Sequence, residues 1–222
     1  MEQITAIQYI SAAVLPVLFA ITVHEVAHGW VAKQLGDKTA QMMGRLTLNP
    51  IKHIDPVGTV LVPALILLSN LYTGASFIFG WAKPVPITWE NLKSPRRDVA
   101  LVAIAGPLSN FIMAILWALV MKLGWMVGQS GDSWFSFLML MGSIGITINL
   151  ILMVLNLLPI LPLDGGRVLS ALLPGPLSYK FSKLEPYGLI IILGLLFFGG
   201  LAWLLSPPVN MLRAIIRGIT GV

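Results

Sequence analysis

The sequence predicts an all-α polytopic membrane protein of about four transmembrane helices plus a re-entrant element, with room for a short β-hairpin. Three observations predict it. Of 222 residues, 57% are apolar and only 10% are charged, against about 25% charged in an ordinary soluble domain. The apolar residues gather into blocks that reach the roughly 20-residue length of a membrane-spanning helix. The basic residues concentrate in three of the connecting segments, which the positive-inside rule assigns to the cytoplasm.

The same composition excludes several functions. There is no cysteine, so disulfides, thiolate metal sites and cysteine nucleophiles are ruled out. The net charge of +5 comes without a groove-like basic run, and no nucleic acid is expected as a partner. The expected surroundings are the lipid bilayer of the cell membrane.

Each element follows from its block, and all belong to one integral-membrane domain, 1–222. The first is a helix over 5–33. The opening Met1-Glu2-Gln3 has no positive n-region, and the block carries charged residues of its own, so it reads as a retained helix. The second block, 57–79, lies between two basic segments: Lys33, Lys38, Arg45 and Lys52 before it, Lys83, Lys93, Arg96 and Arg97 after it. A single crossing would put those segments in opposite compartments, so the block is read as re-entrant; the alternative is an ordinary span with one basic segment outside. Pro63 and the polar pair Ser69-Asn70 fit an interrupted element. Helices are expected over 99–122, 134–158 and 187–205. The tail 207–222 carries Arg213 and Arg217 beside Met211, Leu212, Ile215 and Ile216 and reads as an amphipathic interfacial helix, or as a packed tail with no binding role.

The first helix contains His24-Glu25-Val26-Ala27-His28. Residues i and i+4 share one helical face, so both imidazoles can reach one metal ion, with Glu25 beside it to accept a proton from water. Histidine nitrogen with carboxylate oxygen suits Zn2+ best. With 3 histidines and 9 acidic residues, chance predicts roughly 0.002 such motifs in the chain. About 13 Å of helix rise separates His24 from Lys33, and ionisable groups at such depth are costly and usually functional. The plain alternative is a pair of interhelical hydrogen-bonding histidines.

A catalytic zinc needs three protein ligands and one open position. Position 34 is glutamine, so the third ligand does not come from an extended motif on the same helix. Asp37, His53, Asp55, Glu90, Asp98, Asp132, Asp164 and Glu185 are the candidates. Asp164 is favoured. It follows Asn156-Leu157-Leu158-Pro159-Ile160-Leu161-Pro162-Leu163 and precedes Gly165-Gly166, so prolines break the helix before it and glycines free the backbone after it. The alternative is that Asp164 merely starts the next helix. His53 and Asp55 are candidates for supporting or gating the site, or ordinary interfacial residues. Asn110 is a candidate for supporting the ligands, or for bridging helices. The stretches Gly44–Leu48 and Phe77–Ile87 contain extended pieces, either of which could offer a strand edge to an unwound substrate.

HExxH in the first long helix, with N-x-x-P-x-x-x-x-D-G-G late in the chain, resembles the site-2 protease family of intramembrane zinc metallopeptidases. Gly106-Pro107-Leu108-Ser109-Asn110 and Gly80-Trp81-Ala82-Lys83-Pro84-Val85-Pro86 resemble its short prokaryotic members, which lack a PDZ or CBS domain. The resemblance implies one zinc ion held by His24, His28 and Asp164, with Glu25 as general base. It implies Asn156 as a polar contact to substrate or oxyanion, and transmembrane proteins or membrane-embedded peptides as substrates. The expected function is hydrolysis of peptide bonds within or near transmembrane segments, from a site toward the cytoplasmic side. A non-catalytic zinc-binding scaffold and a membrane-surface peptidase are the competing readings.

Overall fold

The computed structural model describes residues 5–73, 80–127 and 133–222. Helix α1, Ala6–Leu35, starts at a capping box in which Thr5 accepts from the Gln8 N–H while the Gln8 side chain accepts from the Thr5 N–H. These bonds satisfy donors that the first turn leaves unpaired. The helix runs through Pro16 and ends at Gly36, whose φ of 123° suits glycine alone. A short helix α2, Thr39–Met42, a 3-10 turn, Pro50–His53, and a π turn, Pro56–Leu61, lead to α3, Val62–Thr73. A 3-10 turn, Trp89–Asn91, precedes the long α4, Pro95–Val127. Then follow α5, Ser133–Asn156; α6, Asp164–Leu172; α7, Gly175–Ser182; α8, Glu185–Phe197; and α9, Gly200–Thr220.

Three helices, α1, α4 and α5, are long and apolar enough to cross a membrane, and a bent α8–α9 pair makes up to four. Helix α4 is central and packs against α1, α5, α6 and α9. Small buried residues allow these close approaches: Ala12 and Ala20 on α1, Ala103, Ala114 and Ala118 on α4. On α5, a Cβ at Gly145 would lie 2.2 Å from the Trp117 ring, and one at Gly142 would lie 2.8 Å from the Trp117 carbonyl. Such small-residue faces are how helices approach closely in lipid, where burial of apolar surface gives little drive. Large apolar side chains such as Leu108, Ile112 and Leu116 are exposed, as a lipid-facing surface requires.

Both ends of the second block meet. The Trp81 N–H donates to the Gly58 carbonyl at 3.0 Å, the Thr59 hydroxyl to the Trp81 carbonyl at 2.8 Å, and the Lys83 N–H to the His53 carbonyl at 2.9 Å. The described residues flanking this block are therefore neighbours in the fold. Its described helical run joins the π turn Pro56–Leu61 directly to the 12-residue α3 and reaches Thr73. Residues 74–79 of this block lie outside the described residues.

Two expectations are corrected. Among the described residues there is no strand, so the β-hairpin is not formed by them. Gly44–Leu48 is a turn around the positive φ of Gly44. Gly80–Thr88 has no regular secondary structure, and Pro84 and Pro86 have no N–H to offer a ladder. The break in the C-terminal region falls at Gly199, not at Pro207. Gly199 adopts φ 73°, and α8 and α9 meet at 85°. Helix α9 continues through Pro207 and Pro208, so 207–222 is not a separate interfacial helix. Leu201, Leu205, Val209 and Ile216 form one buried face packed with α4 and α5. That burial holds the helix despite two missing ladder donors. Its far end is fixed by Lys122, whose Nζ donates to the Thr220 carbonyl at 2.7 Å.

At the other end of the bundle, fully buried Asp37 ties the α1 terminus to the segment before α4. Its carboxylate accepts from the Thr88 N–H at 2.9 Å, the Asn91 side-chain amide at 2.9 Å, the Thr39 N–H at 3.1 Å and the Thr39 hydroxyl. Burial pushes its pKa up, but these hydrogen bonds outweigh burial and hold it below the ordinary 3.8. A depressed folded-state pKa stabilises the fold above the unfolded value and loses that contribution as pH falls through the folded one. The thermal midpoint should therefore fall as pH drops below about 4, and Asp37→Asn should flatten that dependence. An unchanged slope in a melting series would show that other carboxylates set it.

Candidate metal centre

Helix α1 brings His24 and His28 to the face that meets α4, and Glu25, one position on, to the segment before α4, where it meets Val85. His24 and His28 are 8% and 7% exposed. The Nδ1 of His28 lies 2.7 Å from the Val102 carbonyl. A carbonyl only accepts, so that nitrogen carries the proton. The Nδ1 of His24 lies 2.6 Å from Asn110 Oδ1. Asn110 Nδ2 donates to the Ala20 carbonyl at 3.0 Å and to Asn149 Oδ1 at 2.9 Å, so its oxygen is the acceptor and His24 Nδ1 also donates. In neutral rings both Nε2 atoms are then bare lone pairs.

Those two lone pairs lie 3.0 Å apart, and each lies 3.3 Å from Asp164 Oδ2. Asp164 Oδ2 is buried and has no hydrogen-bond partner. Three electron-rich atoms thus converge with no proton between them, which is unfavourable unless a cation or added protons fill the gap. With bonds of about 2.0–2.1 Å, the donor spacing around a tetrahedral zinc is about 3.3–3.4 Å, so the residues present fit the ion. When added protons rather than a cation fill the gap, the protonated His24 and His28 supply hydrogen bonds and charge that outweigh the burial pushing the Asp164 carboxyl up, and hold it at about 2. The carboxylate is negative in either case. Among the described residues, His24, His28 and Asp164 are the group able to hold a metal.

The loop that delivers Asp164 depends on absent side chains. A Cβ on Gly165 would lie 2.2 Å from the Leu157 carbonyl, and one on Gly166 would lie 2.6 Å from the Ile160 carbonyl carbon. Neither glycine has a positive φ. Their role is close approach to the loop, rather than the conformational freedom read from the sequence. Gly106 on α4 faces the site itself: its Cβ would fall 2.3 Å from His28 Nε2.

Comparison with known proteins bears on this site. The model of peptidase family M50 matches residues 12–129 and 126–198. The chain belongs to this family, the site-2 proteases. It is 40% identical over 198 residues to "Putative zinc metalloprotease YwhC" of Bacillus subtilis, covering 89% of this chain and 85% of that protein. It is 28% identical over 202 residues to "Putative zinc metalloprotease Rip2" of Mycolicibacterium smegmatis, covering 88% and 71%. No solved structure matches significantly.

The other residues singled out in this M50 chain lie elsewhere or in support. Asn110, fully buried, holds His24. Asn156 donates to the Leu152 carbonyl of its own helix at 3.0 Å. His53 is buried and donates from Nε2 to the Thr47 carbonyl at 2.9 Å. Asp55 caps the π turn by accepting from the Val57 and Gly58 N–H groups at 3.0 and 2.6 Å. Among the remaining acids, Asp98 accepts from the Ser94 N–H and Glu185 pairs with Arg167 at 3.4 Å. Three contributors to the candidate site take their roles only from the structure: the Val102 carbonyl, Gly106 as a space requirement, and the N–H of Val85, which donates to Glu25 Oε2 at 2.6 Å. In the sequence Gly106 and Val85 stand out only as members of the stretches that resemble the family. Asn149, fully buried on α5, was visible only as a polar residue in an apolar helix.

Proposed function

We propose that this chain is an intramembrane zinc endopeptidase that hydrolyses peptide bonds within or beside transmembrane segments of membrane proteins. The observation that carries the reading is the convergence of His24, His28 and Asp164 on one point, with Glu25 on the adjoining helical position. One zinc ion held by the three, when bound, lowers the pKa of a water and polarises a carbonyl. Glu25 accepts the proton of the attacking water and later passes it to the leaving amine. Asn110 and the Val102 carbonyl hold the imidazoles in the tautomer that presents Nε2. Asn156 can donate to the developing oxyanion once its amide leaves the Leu152 carbonyl.

The membrane setting follows from α1, α4 and α5. Lys33, Lys38, Arg45, Lys83, Arg96 and Arg97 lie in the segments next to the site end of these helices, which supports a cytoplasmic orientation in the cell membrane. Substrates would be transmembrane proteins or membrane-embedded peptides, reached through the lipid bilayer.

The test is cleavage of a model transmembrane substrate by purified protein in detergent. Glu25→Gln keeps the side-chain shape and removes the base. It should lower kcat by about 10²–10⁴ with bound zinc unchanged. Equal cleavage by both proteins would remove Glu25 from the mechanism.

A further inference from the structure

The segment Gly80–Thr88 is fastened along its length, and one of its fastenings lands on Glu25. The N–H groups of Trp81 and Lys83 go to the carbonyls of Gly58 and His53. The Arg45 guanidinium, 8% exposed, donates from Nη2 to the Lys83 and Pro84 carbonyls at 2.9 and 3.3 Å. Thr88 is held by Asp37. Between these anchors the Val85 N–H meets Glu25 Oε2 at 2.6 Å, at the short end of charge-assisted hydrogen bonds. Pro84 and Pro86 have no N–H, so Val85 carries the only backbone donor of the Pro84–Pro86 stretch. Its side chain is buried against α1, with Cγ1 2.9 Å from where a Cβ on Gly29 would stand.

We infer that Val85 is a positioning residue: its backbone N–H holds Glu25 Oε2 so that Oε1 faces the attacking water. The inference rests on the reading of Glu25 as proton acceptor. An unheld glutamate at this half-buried position has several rotamers, and misplacement of a reacting group by about 1 Å can cost about 10² in rate. The alternation proline–valine–proline fits this task. It keeps the backbone extended on both sides and leaves a single N–H to aim.

Two measurements test it. The first compares Val85→Pro, which removes the N–H while staying in the extended region, with Val85→Ala, which keeps it. On a transmembrane-segment peptide, Val85→Pro should retain zinc and a KM within about threefold while kcat falls about 10–100-fold. Val85→Ala, which keeps the N–H but loses packing, should lose at least about tenfold less of kcat than Val85→Pro. An unchanged or raised kcat in Val85→Pro overturns the inference, the raised value indicating that the segment obstructs the site. An equal fall in Val85→Ala overturns it too, by assigning the effect to packing. The second needs no activity and no Val85 substitution. In amide-labelled protein, the Val85 proton should resonate downfield and exchange slowly, and Glu25→Ala should move it upfield and speed its exchange. A Val85 amide indifferent to Glu25→Ala overturns the inference. Wild-type protein that cleaves nothing would instead overturn the reading of Glu25 beneath it.

Discussion

Asp164→Asn protein should purify folded but bind zinc more than 100-fold more weakly than wild type, with no measurable peptidase activity. The substitution preserves shape and replaces a negative oxygen donor with a neutral amide. The effect should exceed the 10–100-fold loss typical when a group supporting a ligand is removed, because Asp164 Oδ2 is itself one corner of the donor triangle, 3.3 Å from both imidazole Nε2 atoms. The fold should tolerate the change. An asparagine N–H can donate to a bare Nε2 and relieve the crowding of lone pairs that the wild type carries without a cation. Zinc content by mass spectrometry and a melting curve with and without chelator give the result. Asp164→Asn with full stoichiometric zinc would overturn the ligand set. A melting point in chelator equal to or above that of wild type would agree with the electrostatic argument.

Gly106→Ala should separate helix stability from site integrity. In a helix interior alanine is favoured over glycine by about 1 kcal/mol, so helical content should hold. The added methyl, however, would stand 2.3 Å from His28 Nε2 and 2.6 Å from His24 Cε1, and those rings are locked from behind by Val102 and Asn110. Overpacking of this kind costs about 1–3 kcal/mol. Here it is relieved only by turning an imidazole away from the donor triangle or by moving α4 away from α1. Zinc occupancy and kcat should both collapse while far-ultraviolet circular dichroism stays at the wild-type value. A Gly106→Ala protein with full zinc and activity would show that α4 can shift without consequence.

The first helix and its motif were legible because every fact needed lies within one period of one helix: His24 and His28 share a face, and no basic residue nearby explains them. Asp164 was legible through its setting of prolines and glycines, although the glycines serve close approach rather than turning. The break at Gly199 was misread as one at Pro207. Proline is the stronger local breaker, and only the buried stripe Leu201–Ile216 keeps α9 whole. The contact between Val85 and Glu25 was not legible at all, because it is made by a backbone N–H and depends on Arg45 and Asp37 holding the chain in place. Likewise Gly106 could be seen as a glycine, but its reason lies in two rings from another helix.

The meeting of Gly58 with Trp81 and of His53 with Lys83 sets a rule for the whole architecture. On the re-entrant reading, with both clasps on one side of the bilayer, the connection between them contributes an even number of membrane crossings. The orientation of α4 and everything after it is therefore indifferent to that spur. Lengthening it, trimming it or replacing it with a foreign hairpin would leave α4, α5 and Asp164 on the same sides as before. The part of the chain that gives the least regular hydropathy signal is thus the part that can change without inverting the enzyme.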